Sequence, residues 1–346
     1  MILTSVSLFA GCGGLDIGVD KAGFRTICSV ESDPHCVATL RHNTPGKAVW
    51  QVDVRALDPD RVMDVLGLGK GEISLLHGGP PCQPFSQIGR KDGLADPRGA
   101  LVFEMVRFAK AMRPTAVLIE QVPQFLNTLV TDKRTMFDVL RDKFRYIGYK
   151  LSATVLDAAD FKVPQHRRRA FLVGVPRGQE FEFPLPRIAD PKPVGEVIDD
   201  LPPAVSLNKT PLVPNHIDVT PERDRYRISF VPEGLWLSKV DVDAPADAVQ
   251  RLTVKDTTKY RRLSRDRPSL TLRCGEILYH HTEDRYLTPR EAARIQGFPD
   301  RHVLVGPIRR RTGVVRDLDQ HRQVANAVPP PLAQAVAKSL RTSLCL

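Results

Sequence analysis

Short apolar runs rich in β-branched residues alternate with helical periodicities through the first half of the chain. ILTSVSLF (2–9), RTICSVE (25–31), ISLLH (73–77) and AVLIEQV (116–122) read as strands. Between the last two, RGALVFEMVRFAKAM places Leu101, Val102, Met105, Val106 and Ala109 on one helical face. Strands of about five residues alternating with helices of ten to fifteen predict an α/β fold with a doubly wound, mostly parallel sheet.

After Val175 the pattern breaks. VPRGQEFEFPLPRIADPKPVGEVIDDLPPAV is proline-rich and has no sustained period, so it reads as the passage into a second, smaller, irregular lobe. Regularity returns at LTPREAARIQGFP, where Thr288, Pro289 and Glu291 fit the N-cap, N1 and N3 positions of a capping box. PPPLAQAVAKSL closes the chain as a short helix begun by Pro331.

Composition narrows the class. No apolar stretch approaches the length needed to span a bilayer, and MILTSVSLFAGC lacks the basic start of a secretion signal. Six cysteines, at 12, 28, 36, 82, 274 and 345, are scattered without a C-x-x-C pair. That argues against a metal site or a disulfide framework and fits a reducing, cytoplasmic setting. The net charge of +10 permits a polyanionic partner. Residues 177–260 carry 11 Lys+Arg against 14 Asp+Glu, whereas 261–346 carry 16 against 8 and 1–176 carry 23 against 18. The middle segment is the acidic one.

The candidate chemistry sits at the ends of the strands. Gly11, Gly13 and Gly14 follow the first strand and allow close backbone approach to a ligand, although Asp16 stands where a dinucleotide fingerprint needs glycine. Glu31 ends the second strand, where an acid grips ribose hydroxyls, and Asp53 follows the third. From position alone these also fit a plain loop. In GGPPCQPFSQIG, Cys82 hangs on a stiff, non-helical loop. A buried thiol is one reading; a nucleophile, which needs a rigid and partly open loop, is the other. Glu120 ends the next strand, and Gln165, Arg167 and Arg169 alternate along PQHRRRAFLVG on one face of an extended strand. Arginines so placed suit phosphate or base contacts, or form a solvated basic turn.

In this order the motifs resemble those of the cytosine-C5 DNA methyltransferases, of the prokaryotic restriction-modification type, over nearly the whole chain. FAGCGGLDIGVDKAGF is similar to the family's cofactor loop, PPCQPFS to its catalytic loop, QHRRR to its Q-x-R-x-R element, and LTPREAARIQGFP and QVANAVPPPLA to its C-terminal motifs. Two departures stand out: Gln121 where the family has asparagine after the catalytic glutamate, and Ala325 where it has glycine.

The resemblance implies a Rossmann-like catalytic domain over 1–176 plus 325–346 and a target-recognition domain over 177–324. It implies Cys82 as nucleophile, Glu120 as acid, Arg169 on the cytosine O2 and Arg167 under the catalytic loop. S-adenosylmethionine, converted to S-adenosylhomocysteine, is expected on Phe9, Gly11, Cys12, Gly13, Glu31, Asp53, Pro81, Leu101 and Asn326. Double-stranded DNA is expected on Gln83, Ser86, Gln165, Arg223, Arg225 and Arg227, the last three sharing one face of a strand. Because the reacting atoms lie inside the stack, the base must be flipped out. A soluble monomer working on nucleoid DNA, with a cognate restriction endonuclease as functional companion, completes the expectation. The alternatives are a transfer-RNA cytosine-C5 methyltransferase and a catalytically silent DNA-binding relative.

Overall fold

The computed structural model describes residues 2–81, 101–131, 133–186, 191–236, 261–275, 277–309 and 318–345. The chain divides into two compact units: 1–157 with 168–187 and 328–346, and 158–167 with 188–327.

The first unit is built on a seven-stranded sheet. Its strands are β1 (Leu3–Leu8), β2 (Phe24–Glu31), β3 (Ala48–Gln51), β4 (Leu75–Gly78) and β5 (Ala116–Gln121), then β8 (Tyr149–Asp157) and β9 (Arg168–Pro176). A small hairpin, β6 (Leu129–Thr131) with β7 (Arg134–Thr135), stands apart from it. The order is β3-β2-β1-β4-β5-β9-β8. The first five strands are parallel, and β9 runs antiparallel to both β5 and β8. The mostly parallel, doubly wound sheet read from the sequence is therefore present. Strand order reverses beside β1, between β2 and β4, and such a switch point opens a ligand crevice at the carboxyl ends of the strands.

The helices of this unit are α1 (Gly14–Lys21), α2 (Pro34–Asn43), α3 (Pro59–Leu66), α4 (Val102–Met112) and α5 (Met136–Tyr146). Asp33 and Asp58 cap α2 and α3, each with proline at the start of the helix. In α4 the buried face is Val102, Met105, Phe108, Ala109 and Met112. Four of the five residues expected on this face, Leu101, Val102, Met105 and Ala109, are buried, and Val106 is half-buried. Phe108 and Met112 outweigh Val106 because they carry more apolar area into the core.

The closing helix runs Pro330–Ser343, slightly longer than the short helix begun by Pro331 that the sequence suggests, and it packs on α1. The approach is close enough that a Cβ on Gly18 would lie 2.4 Å from Ala333 Cβ. Only glycine fits there. Gln334 Nε2 donates to the Lys21 carbonyl and Arg341 Nη1 to that of Ala22.

Among its described residues, the second unit contains little regular structure. It holds α6 (Gly195–Ile198), the two-residue strands β10 (Val205–Ser206) and β11 (Ile217–Asp218), and α7 (Glu222–Ile228). Further along come α8 (Pro289–Ile295) and α9 (Gln320–Asn326), so the closing helix is α10. The capping box at α8 forms as expected, with Thr288 accepting from Glu291 N and Glu291 accepting from Thr288 N. RDRYR is not a strand. These residues lie in α7, where successive arginines at 223, 225 and 227 cannot share a face. The run alternates in charge rather than in hydrophobicity, lacks β-branched residues, and begins after Pro221, all of which favour a helical turn.

Candidate active site

The residues after β1 form a tight turn. Phe9, Gly11 and Gly13 all have positive φ, at 55°, 54° and 89°. A Cβ on Gly11 would meet nothing within 4 Å, so the turn faces open space. Glu31, at the end of β2, holds that turn from beneath. Its Oε2 accepts from Gly11 N at 2.8 Å, and its Oε1 accepts from Ser32 N and Asp33 N, each at 2.8 Å. Burial pushes the Glu31 carboxyl up, although these three amides pull it back. A backbone turn open at Gly11 and backed by a strand-end acid fits the nucleoside and amino-acid parts of an adenosyl cofactor.

Cys12 turns inward at 1% exposure, and burial pushes its thiol up to about 12, so it is a packing group rather than a nucleophile. Asp53 is half-buried and takes Arg55 in an ion pair, Nη2 to Oδ2 at 2.5 Å. Leu101 is 9% exposed at the start of α4, and Pro81 is exposed after β4.

At the next strand ends the acid and the entry to the cysteine loop come together. Gly78 ends β4, where any Cβ would stand 2.5 Å from the Leu8 carbonyl oxygen. A Cβ on Gly79 would lie 3.3 Å from Glu120 Oε2. Glu120, at the end of β5, receives Arg169 Nε at 2.8 Å, and the two side chains are 12% and 15% exposed. Its neighbour Gln121 donates from Nε2 to the Pro80 carbonyl at 2.8 Å, buried at 1% exposure. The longer amide thus reaches the backbone two residues before Cys82. Cys82, Gln83 and Ser86 lie outside the described residues, as do Arg310 and Arg311.

Other expected site residues belong to the second unit. Asn326 ends α9, and its Oδ1 accepts from Cys274 Sγ at 2.6 Å. Arg167 is 1% exposed, with Nη1 on the Leu272 carbonyl at 3.1 Å and Nη2 on that of Ala325 at 2.6 Å. At least part of its work is holding that unit's own backbone.

Gln165 corrects an expectation. It is wholly buried, with Nε2 on Gln296 Oε1 and Oε1 accepting from Leu272 N at 2.9 Å, so its amide faces protein rather than DNA. Gln165 and Arg167 also precede β9 instead of lying in it, although their alternating burial keeps them on one side of the chain.

On α7, Arg225 is engaged by Asp218 and by Glu222, whereas Arg223 has a side chain 75% exposed. Arg309, first of the RRR run, lies over the Tyr286 ring at 4.6 Å, and Tyr286 donates to Asp224 Oδ2 at 2.5 Å. Sequence reasoning missed a buried pair. Arg285 grips Glu291 through both guanidinium nitrogens, at 2.9 and 2.7 Å, and Arg290 is fully buried on the carbonyls of Pro214 and His302. Burial would raise the Glu291 carboxyl, but Arg285 holds it below its ordinary value.

A mostly parallel sheet with a glycine turn after its first strand and an acid ending its fifth is a Rossmann-like methyltransferase architecture. The profile of the C-5 cytosine-specific DNA methylases matches residues 3–342. The chain belongs to that family and is a DNA cytosine-5-methyltransferase. It is 34% identical over 345 residues to the Type II methyltransferase M1.HphI of Haemophilus parahaemolyticus, covering 98% of this chain and 87% of that one. It is also 34% identical over 363 residues to M.Eco47II of Escherichia coli, covering 98% and 79%. Among solved structures, a candidate DNA modification methyltransferase encoded within an E. coli prophage superposes with a TM-score of 0.72. It is 24% identical and is matched over 99% of this chain and 100% of that one. Entamoeba histolytica EhMeth gives 0.67 at 13% identity, covering 99% of each chain.

Among the described residues, no helix is long and apolar enough to cross a membrane, and no group of three or more His, Cys, Asp or Glu could hold a metal ion.

Proposed function

We propose that this methyltransferase modifies cytosine at C5 within a specific double-stranded DNA sequence, by covalent catalysis on a base flipped out of the helix. Cys82 thiolate adds to C6 while Glu120 gives a proton to the ring N3. C5 becomes nucleophilic as a result. S-adenosylmethionine supplies the methyl group that C5 receives. Loss of the C5 proton to a base and expulsion of the thiolate then restore the ring. Arg169 holds the cytosine O2 in this reading. Phe9, Gly11, Gly13 and the backbone of Cys12 would carry the cofactor with Glu31, Asp53, Pro81 and Leu101.

What supports the reading most is the position of Glu120 beside Gly79, with Gln121 tied to Pro80. An acid and the approach to the cysteine are held at the ends of adjacent strands, as a two-group attack on one ring requires. The second unit, with the exposed Arg223, is the natural reader of sequence, and 177–324 remains our assignment for recognition. The setting would be the cytoplasm, with a cognate endonuclease as functional companion and the protein acting as a monomer.

The test is a duplex carrying 5-fluorocytosine at the target. That base has no C5 proton to lose, so the wild type should become covalently trapped and Cys82→Ala should not. Substantial methylation by Cys82→Ala would overturn the mechanism.

A further inference from the structure

Asp16 occupies a position where glycine would have completed a dinucleotide fingerprint, and the proposed mechanism leaves it unused. It is 3% exposed. Its Oδ1 accepts from Ser7 Oγ at 2.6 Å, and its Oδ2 from Ser29 Oγ at 2.7 Å and Lys47 Nζ at 3.1 Å. His77 Nδ1 stands 3.9 Å from Oδ1. Sheet register explains the convergence: Ser7 on β1 pairs with Ser29 on β2 and with His77 on β4. The three side chains form one row across three strands, and Asp16 reaches it from the first turn of α1.

The charges are balanced within the cluster. The Lys47 and Asp16 side chains are 7% and 4% exposed and neutralise each other. His77 is fully buried, and burial drives its imidazole down to about 4, so it is neutral at physiological pH. Burial alone would raise the Asp16 carboxyl, but Lys47 and the two hydroxyls hold it below its ordinary value. A hydrophobic row would have packed this sheet–helix contact without any desolvation cost. The buried ions therefore call for a reason beyond packing.

The location supplies one. Asp16 lies two residues after Gly14, the last glycine of the turn, and His77 lies one residue before the Gly78–Gly79–Pro80–Pro81 run into Cys82. We propose that Asp16 is a positioning residue that ties the start of α1, and with it the glycine turn, to β1 and β2 beside the strand that leads to the nucleophile loop, so that the cofactor turn keeps one fixed relation to that strand. The proposal rests on the reading of residues 9–14 as the cofactor turn.

Asp16→Asn keeps the shape and removes the charge. The KM for S-adenosylmethionine should rise about tenfold and kcat should fall, since small misplacements of reacting groups carry such costs. DNA affinity should not change. Asp16→Asn with Lys47→Met removes both charges, and should restore Tm while leaving the KM for S-adenosylmethionine high. A purely structural role would restore both together. If Asp16→Asn does not fold, Ser7→Ala and Ser29→Ala decide the matter, each expected to raise that KM with little change in Tm. An unchanged KM in the folded variants overturns the proposal. Direct titration of S-adenosylmethionine into wild type and Glu31→Ala tests the turn separately. If Glu31→Ala binds as tightly as wild type, the reading of the turn fails, whatever Asp16 does.

Discussion

Arg169 Nε lies 2.8 Å from Glu120 Oε1, across the antiparallel pair β9 and β5. In the proposed mechanism the incoming base would compete for this pair, taking Arg169 to its O2 and Glu120 to its N3. Glu120→Gln should slow the chemical step by about 10² to 10⁴, the usual worth of general acid catalysis, as read in single-turnover methylation. A loss smaller than about tenfold would assign Glu120 to structure instead.

Gln121 holds the Pro80 carbonyl from a buried position. Gln121→Leu would leave that carbonyl without its donor, at a cost of about 1–3 kcal/mol. We expect a lower Tm and a lower kcat with unchanged cofactor affinity. Gln121→Asn, one methylene shorter, should keep more activity than Gln121→Leu, since an amide remains. Equal loss in both would show that reach, and not chemistry, decides.

The positive charge of the C-terminal quarter overstates what DNA can use. Arg262, Arg285 and Arg290 are buried, and Arg265 and Arg294 pair with Asp199, Asp200 and Asp300. Arg309→Ala should therefore lower Tm, through loss of its place over Tyr286, and leave the salt dependence of DNA binding alone. A phosphate contact would instead reduce the log–log slope by about 0.9. Salt titrations of binding separate the two.

Arg223 and Arg225 should part company in the same way. Arg225→Ala frees Asp218 and should destabilise the second unit. Arg223→Ala should leave Tm unchanged and either weaken DNA binding or relax the site methylated. Sequencing of methylated plasmid DNA, together with thermal unfolding, checks both. No change in either property for Arg223→Ala would remove it from the recognition surface.

Buried neutral histidines make the fold acid-sensitive before its carboxylates titrate. His77 in the unfolded chain takes a proton near 6.5, but in the folded protein only near 4. Its contribution is thus complete above 6.5 and is lost as pH falls towards 4. Within that window it should remove about 1.4 kcal/mol per pH unit. His77→Gln should flatten the pH dependence of unfolding by that amount. An unaltered slope would mean that His77 already carries a proton in the folded state.

The sheet was legible because its strands are β-branched runs bounded by turn residues, and Glu31 and Glu120 announced themselves by ending two of them. α7 was misread because the alternation of RDRYR is one of charge, which places no apolar face. Asp16 showed in the sequence only as a missing glycine. Its partners at positions 7, 29, 47 and 77 converge through sheet register, which no local window contains. The burial of Gln165 depends likewise on Gln296 and Leu272, more than a hundred residues away. Gln121 was legible as a departure, but its reach to Pro80 was not.

The close packing of α10 on α1 has a bearing on how the chain is made. The Gly18–Ala333 contact joins α1 to a helix that leaves the ribosome roughly three hundred residues later. At about 5–20 residues per second, the roughly three hundred residues between them take about 15–60 s to synthesise. For that interval the nascent glycine turn has a helix with one side uncovered, and a chaperone or a transient misfit is the alternative to waiting. Modification activity should therefore emerge only once α10 has been made, and a ribosome stalled before residue 330 should carry a chain without it.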